Sequence, residues 1–490
     1  MTRKLFPLLA ILLCLCGCPR RQEYARPEIP VPSTWPEKAA VQAETVTNLA
    51  ASDIGWREFF ADQRLQKVIE LALAHNRDLR MAALNIEKVQ ALYRIQSAEQ
   101  VPHLNAAAQA EGYRIPANMS SKDRASTVAQ YTIGLTTASW ELDLFGRIRS
   151  LKSRALEQYL ATEEARSATQ ISLVAAIAQS YLALAADREN LKLAQATLEA
   201  QQASCDLIRS TRDLGMASDL DLRQAQTQVD VARVDIARYA GQITLGENAI
   251  QMLVGAPVAA ELLPDGLSKI GELKEVSPGL PSEVLLRRPD ILMAEHQLKA
   301  ASANIEAARA AFFPRIALTA GAGITSSDLT DLFKWGARTW SFAPQAILPI
   351  FDAGARQANY QVAQTDRDLA LAEYEKAIQS AFREVSDALS LRATLVAQQA
   401  AQQSLTNNLQ ETWRLAQIRY QEGIDGYLGV LVAQRSLYAA QQGLLGLRLA
   451  RLGNRVALYK VLGGGGVQDK AALSPSGGKA SGSGPVPTKK

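Results

Sequence analysis

The stretches LGMASDLDLRQAQ (214–226) and EGIDGYLGVLVAQ (422–434) match each other at a distance of 208 residues along the chain. The same offset relates four pairs of identical residues: Gly146 and Gly354, Gly215 and Gly423, Gln226 and Gln434, and Gly255 and Gly463. Upstream, an offset of 212 relates Asp78, Met81, Ala82 and Pro102 to Asp290, Met293, Ala294 and Pro314. Self-similarity at a fixed period indicates a duplicated architecture. We therefore predict two tandem copies, residues 55–270 and residues 271–465.

Each copy is predicted to begin with a helix followed by two strands. Residues 62–100 and 283–312 carry apolar side chains at helical spacing and end near Pro102 and Pro314. Apolar and polar residues then alternate in segments 104–111, 131–136 and 315–322, and a less regular segment runs from 339 to about 351. Such alternation is typical of strands that face two different environments. The polar stretches NMSSKDR (118–124) and TSSDLTD (325–331) separate the strands as loops.

Each copy is predicted to end in a long antiparallel helical hairpin. No proline occurs from residue 147 to 256 or from 350 to 474, and both stretches are rich in residues that favour helices. Apolar positions recur every seven residues, which is coiled-coil spacing: Ile177, Leu184, Leu191, Leu198 and Cys205. A single helix over residues 146–212 would be about 100 Å long. Gly215 and Gly423 interrupt the pattern, and Ser218-x-x-Asp221 is typical of a capping box that begins the return helix.

Two strands per copy give four strands per chain, and four strands cannot close a barrel. Unpaired strand edges are too costly in hydrocarbon, and the smallest common membrane barrel has about eight strands. A trimer supplies twelve strands, whereas a dimer supplies only eight, which form a barrel whose interior is filled by side chains. A pair of coiled-coil rods with a membrane lipid is the alternative, and it explains the helices but not the strands. The pattern therefore favours a trimeric conduit.

The N-terminal sequence MTRKLFPLLAILLCLCGC (1–18) has the positive start and apolar run of a secretory signal, and it is too short for a permanent membrane helix. Its last four residues resemble the bacterial lipobox, which implies removal of residues 1–17 and acylation of Cys18. A cleaved signal with incidental cysteines is the alternative. Pro19 stands where lipoproteins of the inner membrane usually carry Asp, which implies the outer membrane. Residues 18–54 are then a lipidated extended segment, and residues 466–490 have the composition of a disordered tail.

Composition argues against an imidazole-rich metal or acid/base site and against a nucleic-acid-binding protein. The three His are far apart, three of the four Cys lie close together at residues 14, 16 and 18, and the net charge is only +4, whereas nucleic-acid binders show a strong basic excess. We predict no catalytic residue, no metal and no cofactor apart from the lipid on Cys18. The sequence RRPD (287–290) could bind an anion, but Pro289 and Asp290 fit the first turn of a helix better. Cys205 fits a small core residue, and the scattered carboxylates fit ion pairs on solvated helix faces.

The chain resembles the TolC-like outer membrane factor family, in the lipoprotein branch (OprM/NodT-like) that serves efflux systems of the resistance-nodulation-division type. The resemblance is carried by GWREFFADQRLQKVIELALAHNRDL (55–79), LLRRPDILMAE (285–295) and RYQEGIDGYLGVLVAQRSLYAAQQ (419–442). It implies a mixed α/β membrane protein that is mainly α. In this fold a homotrimer forms a twelve-stranded outer-membrane β-barrel, four strands per chain, continuous with a long periplasmic α-helical barrel and a mixed equatorial belt.

The resemblance also implies a function. The chain would be the exit duct of a tripartite efflux system and would conduct drugs or other small toxic compounds passively from the periplasm to the exterior. Its partners would be a periplasmic membrane-fusion adaptor, an inner-membrane pump and outer-membrane lipid. Two alternatives stay open: the exit duct of a type I protein-secretion system, whose relatives usually lack a lipobox, and a non-transporting periplasmic coiled-coil lipoprotein.

The functional residues are expected at the tips of the helical hairpins, where the periplasmic entrance of the duct would close. In relatives, Arg and Tyr residues and rings of Asp at these tips hold neighbouring hairpins together, and Arg419 and Tyr420 match that pattern. Val432 departs from it, because many relatives carry Asp there, before the Ala-Gln-Arg at 433–435. Asp425 could form an acidic ring or cap a helix, and Leu428 could form an apolar ring. The complete set of candidates is Gly215, Met216, Ser218, Asp221, Arg419, Tyr420, Gly423, Asp425, Leu428 and Val432.

Overall fold

The computed structural model describes residues 24–35, 51–119, 124–271, 273–276 and 285–465. The predicted signal peptide, the predicted lipid attachment site Cys18 and the predicted disordered tail lie outside these ranges. The helices and strands are, in chain order, α1 (Trp56–Phe59), α2 (Gln63–His75), α3 (Arg77–Ala98), β1 (Asn105–Ile115), β2 (Ser126–Glu141), α4 (Arg147–Asp213), α5 (Asp219–Val254), α6 (Pro289–Ala310), β3 (Arg315–Ser326), β4 (Arg338–Ile347), α7 (Ala355–Gln421) and α8 (Tyr427–Val461).

The chain divides into two compact units. The strand unit comprises Leu84–Glu163, Met293–Glu375 and the described part of Met1–Glu28, and therefore contains all four strands. The helical unit comprises the described parts of Ile29–Ala83, Glu164–Leu292 and Lys376–Lys490. It contains most of α4 and α7 and all of α5 and α8.

The strand unit is built around one antiparallel sheet with the order β1-β2-β3-β4. The register matches Ala110 with Tyr131, Ile133 with Ile324, and Ile324 with Arg338, so that these residues lie on the same face of the sheet. This apolar face consists of Ala106, Ala108, Ala110, Tyr131, Ile133, Leu135, Leu318, Ile324, Trp340 and Phe342. The opposite, polar face carries Asn105, Gln109, Glu111, Gln130, Thr132, Thr136, Thr319, Thr325 and Ser341.

The observed strands differ from the predicted segments at their ends. Strand β2 is longer than the alternating stretch 131–136, because it continues through a register shift between Thr137 and Trp140. Strand β4 ends at Ile347 rather than near residue 351, and Pro349 lies just beyond it. Proline cannot donate a ladder hydrogen bond and is found mainly in edge strands such as β4, which contains Pro344 and ends before Pro349.

Two buried carboxylates fix the strand unit, which corrects the expectation that carboxylates lie on solvated faces. Glu141, at the end of β2, accepts two hydrogen bonds from Arg147 at 2.9 and 2.7 Å and forms an ion pair with Arg315 at 2.6 Å. Glu295 in α6 is only 2% exposed and pairs with Arg26 at 2.7 Å and Lys299 at 2.9 Å. A buried carboxylate is tolerated only when it is paired in this way.

The recurring glycines of the two copies occupy equivalent backbone positions. Gly215 ends α4 with φ +75°, and Gly423 ends α7 with φ +70°. The pairs Gly146/Gly354 and Gly255/Gly463 are also left-handed. Glycine adopts this conformation without steric cost, and it commonly terminates helices in this way. The 208-residue offset therefore relates glycines at helix boundaries: Gly146 and Gly354 immediately precede α4 and α7, and the other two pairs follow the ends of helices.

The predicted helix over residues 62–100 is two helices, which is a correction. Asn76 lies between α2 and α3 in an extended conformation. Its side chain accepts a hydrogen bond from the N–H of Leu79 at 2.8 Å and donates one to the carbonyl of Leu253 at 2.7 Å. The second contact joins the break to the end of α5, so tertiary packing determines it.

The sequence RRPD at 287–290 has a structural role. Pro289 is the first residue of α6, as predicted. Arg288 is buried and donates to the carbonyl of Val461, at the end of α8, at 2.8 Å. It also pairs with Asp290 at 2.6 Å and Glu384 at 2.9 Å. Arg288 therefore joins α6, α7 and α8, and these partners leave no anion-binding role for it.

Candidate functional site

The first tip, between α4 and α5, is held by backbone and side-chain hydrogen bonds of its own residues. The N–H of Gly215 bonds to the carbonyl of Arg212 at 2.8 Å, and the N–H of Met216 bonds to that of Thr211 at 2.9 Å. The predicted capping box is present: the N–H of Asp221 donates to the Ser218 hydroxyl, and the N–H of Ser218 donates to the Asp221 carboxylate, each at 3.1 Å. Both ends of this turn are therefore fixed.

The second tip, between α7 and α8, has the same turn but lacks the cap. The N–H of Gly423 bonds to the carbonyl of Tyr420 at 3.0 Å, and the N–H of Ile424 bonds to that of Arg419 at 2.9 Å. The N-terminal cap of α8 is Gly426, which offers no side-chain hydrogen bond. The position equivalent to Ser218 has thus lost its capping group, and the start of α8 is held less firmly than the start of α5.

Asp425 forms an ion pair instead of capping a helix, so the capping alternative is wrong. Its carboxylate accepts hydrogen bonds from Nε and Nη2 of Arg419 at 2.6 and 3.1 Å. These hydrogen bonds lower the pKa of Asp425 and raise that of Arg419. Both side chains are about half exposed. The pair is therefore accessible and local to one turn, and Arg419 is already engaged within its own chain.

The two tips of one chain pack against each other through a tip cluster, which consists of Cys205, Ile208, Ala225, Val229, Tyr427, Val430 and Leu431. Cys205 is completely buried in it, as expected of a core residue. Tyr420 packs against the cluster, with its ring 5.4 Å from that of Tyr427.

Burial raises the pKa of Tyr427 to about 12. Burial and, second, the nearby Asp221 carboxylate raise the pKa of Tyr420. Both tyrosines therefore stay protonated at neutral pH.

Leu428 and Val432 lie on one exposed face of α8. They are 58% and 47% exposed, and Ile424, in the turn that precedes α8, is 62% exposed. Residues spaced by four share a face of a helix. On the first tip, Leu214, Met216 and Leu220 are exposed as well. Single exposed apolar residues need no explanation, but contiguous ones at a tip mark a surface that another chain covers.

Sequence reasoning missed two features of the tips. Tyr427 anchors the tip cluster, and its spacing to Val430 and Leu431 follows a helical face, which could have indicated burial. Arg212 pairs with its neighbour Asp213 at 2.5 Å and, across the first turn, with Asp219 at 3.4 Å. No local pattern signals the contact with Asp219. Among the described residues no group of His, Cys, Asp or Glu could hold a metal ion.

The family described as outer membrane efflux protein matches residues 68–256 and 280–464, which together cover most of the chain. The chain belongs to the outer membrane efflux protein family. It is 45% identical over 465 residues, 95% of this chain and 96% of the relative, to the toluene efflux pump outer membrane protein TtgC of Pseudomonas putida. It is 41% identical over 473 residues, 96% of this chain and 98% of the relative, to the outer membrane protein OprJ of Pseudomonas aeruginosa.

Solved structures of this family have the same fold. A membrane protein from Pseudomonas aeruginosa is 40% identical, with a TM-score of 0.85 over 91% of this chain and 100% of that structure. The open state of the MtrE outer membrane channel of Neisseria gonorrhoeae is 37% identical, with a TM-score of 0.83 over 91% of this chain and 98% of that structure. The predicted fold class and outer-membrane localisation are confirmed. The efflux protein is a homotrimer, in which three four-stranded sheets close one barrel.

Proposed function

We propose that this outer membrane efflux protein is the exit duct of a tripartite efflux system that expels small apolar compounds, including solvents and antibiotics. The observation that carries the proposal is the 45% identity, over 95% of the chain, to proteins named toluene efflux pump and antibiotic efflux pump outer membrane proteins. A periplasmic adaptor and an inner-membrane pump are its partners, because a tube in the outer membrane has no energy source of its own.

The sheet fits a passive tube. Its apolar face presents exposed Trp340 and Phe342 to lipid, and its polar face lines the lumen with amides and hydroxyls. Thr132 and Thr325 are 3.0 Å apart on that face, so their hydroxyls bond to each other. Such a polar lining lets water fill the lumen and does not bind a solute. The function needs no catalytic residue and no cofactor beyond the lipid on Cys18, which requires its own test by mass spectrometry of the mature N-terminus.

We propose that the second tip is the mobile half of the entrance. The first tip, with Gly215, Met216, Ser218 and Asp221, has a capped helix start and serves as the fixed half. At the second tip, the Arg419–Asp425 pair and the contact of Tyr420 with Tyr427 hold the turn that begins at Gly423. Leu428 and Val432 then form an apolar constriction, since the acidic residue of many relatives is absent at Val432.

Complementation tests the function. A host that lacks its own outer-membrane duct and carries a matching adaptor and pump should regain tolerance to toluene and to apolar antibiotics. The control is a chain in which Thr132 and Thr325 are both replaced by Trp, which narrows the lumen without altering the lipid face. Restored protein secretion without restored tolerance would overturn the efflux proposal in favour of type I secretion.

A further inference from the structure

Two arginines lie on the lipid face of the sheet at its outer end. The described turns 116–119 and 327–337 join the strands at one end of the sheet, and helices flank the strands at the other. Because the helices are periplasmic, the turns are at the extracellular end. Arg114 is the penultimate residue of β1 and Arg338 is the first residue of β4, so both are at that end.

The register places both arginines on the apolar face. Arg338 pairs with Ile324, and Arg114 belongs to the alternate positions of β1 that include Ala110, the partner of Tyr131. Both side chains are exposed. Each is nine residues from the periplasmic end of its strand, Asn105 for Arg114 and Ile347 for Arg338. Nine residues span about 30 Å of strand, or about 23 Å of membrane depth at the usual tilt. This depth is the outer edge of an apolar band about 25 Å tall.

Closing the trimer brings the two arginines together. Strands β1 and β4 are the two edges of the sheet, so β4 of one protomer must pair with β1 of the next. Each of the three seams therefore carries Arg338 from one side and Arg114 from the other. A cation in hydrocarbon is costly, but at the headgroup level it finds anionic partners.

The described side chains around Arg114 and Arg338 leave both positive charges free to bind an anionic group. Among the described residues, neither arginine forms an ion pair. In the adjacent turn, Lys334 forms an ion pair with Asp331 at 2.6 Å, and Asp328 is the remaining acidic residue of that turn. The guanidinium of Arg338 lies 3.2 Å from the centre of the Trp335 ring. Stacking fixes the plane of the guanidinium and leaves the N–H groups at its edge free to donate to phosphate.

We propose that Arg114 and Arg338 form a binding site at each protomer seam for the phosphate groups of a phosphorylated lipid of the outer leaflet. Exposed Trp340, two residues below Arg338 on the same face, contacts the acyl chains of that lipid. The site is built only in the trimer, because its two arginines come from different protomers. The lipid would join neighbouring protomers across a seam that has no covalent link.

The test uses the full-length trimer in neutral detergent and lipid A as the probe. Lipid A with both phosphates, the same lipid without phosphates, and inorganic phosphate are titrated by native mass spectrometry. We expect the wild-type trimer to bind phosphorylated lipid A. The double variant Arg114→Gln/Arg338→Gln should bind it at least about tenfold more weakly. The matched control is Arg383→Gln, an exposed arginine of α7 in the helical unit, which should bind as the wild type does.

Three outcomes would overturn the proposal. The first is equal binding of phosphorylated lipid A by the double variant and the wild type, with both running as trimers. The second is equal binding of phosphate-free lipid A, which would make the contact purely apolar. The third is full competition by inorganic phosphate at the same concentration as lipid A, which would make the lipid irrelevant. None of these outcomes bears on the efflux function, which complementation tests separately.

Discussion

Replacing Gly323 with Ala should disrupt the barrel, because β2 and β3 approach closely at this position. A Cβ at Gly323 would lie 2.2 Å from the carbonyl oxygen of Ile133 and 2.6 Å from the Cα of Gly134. Carbon–oxygen contacts between strands normally need about 3.3 Å, so the two strands would have to separate by about 1 Å. Both obstacles are backbone atoms, which cannot rotate away as a flexible side chain would.

The total loss of stability depends on how many times this close contact occurs in the trimer. Overpacking a close contact costs about 1–3 kcal/mol, and the trimer contains the contact three times, so the variant should lose about 3–9 kcal/mol per trimer. The assay is the temperature at which trimers separate into monomers in SDS, read from gels. We expect Gly323→Ala to lower this temperature strongly or to prevent trimers from forming.

The matched control is Gly112→Ala in the same sheet. A Cβ at Gly112 meets no atom within 4 Å, so this identical chemical change should alter stability by no more than about 0.5 kcal/mol. If Gly323→Ala trimers were as heat-resistant as Gly112→Ala trimers, the close approach of β2 and β3 would not be a requirement of the barrel, and the steric reasoning would be refuted.

Three further predictions concern the ion pairs and caps. Burial raises the pKa of Glu295, but the hydrogen bonds and the charge interactions with Arg26 and Lys299 together lower it by more. The contribution of Glu295 to stability is therefore present above the ordinary carboxyl pKa of 4.5 and is lost as the pH falls below it. Glu295→Gln should therefore flatten the acid dependence of thermal stability, and an unchanged acid dependence would contradict this. Ser218→Ala should cost about 1 kcal/mol in chemical unfolding, whereas no loss would mean that the capping box is dispensable. Arg419→Ala with Tyr420→Phe should raise single-channel conductance in planar bilayers, and unchanged conductance would place the latch elsewhere.

The tips illustrate what local sequence can and cannot predict. The capping box at Ser218 was predictable because its two partners are three residues apart and the geometry is local. The role of Asp425 was not, because helix capping and pairing with Arg419 are both compatible with the same sequence. The conformation of the turn decides between them, and it places the carboxylate within 2.6 Å of the guanidinium.

The sequence alone determined the duplication, the strand alternation, the long helices and the glycines that end them. Each of these depends on residues near one another along the chain, since side-chain period and left-handed φ are local properties. The closure argument also came from sequence, because it needs only the number of strands. Membership of the outer membrane efflux protein family is also a property of the sequence, through the match over residues 68–256 and 280–464.

Only the tertiary structure decided which residues from distant parts of the chain meet. It showed that Asn76 breaks a helix while bonded to Leu253, and that Glu295 is buried against Arg26, 269 residues away. It also showed that Arg338 shares a face with Ile324. The physical reason is that burial and pairing energies depend on distances in space, which local patterns do not contain.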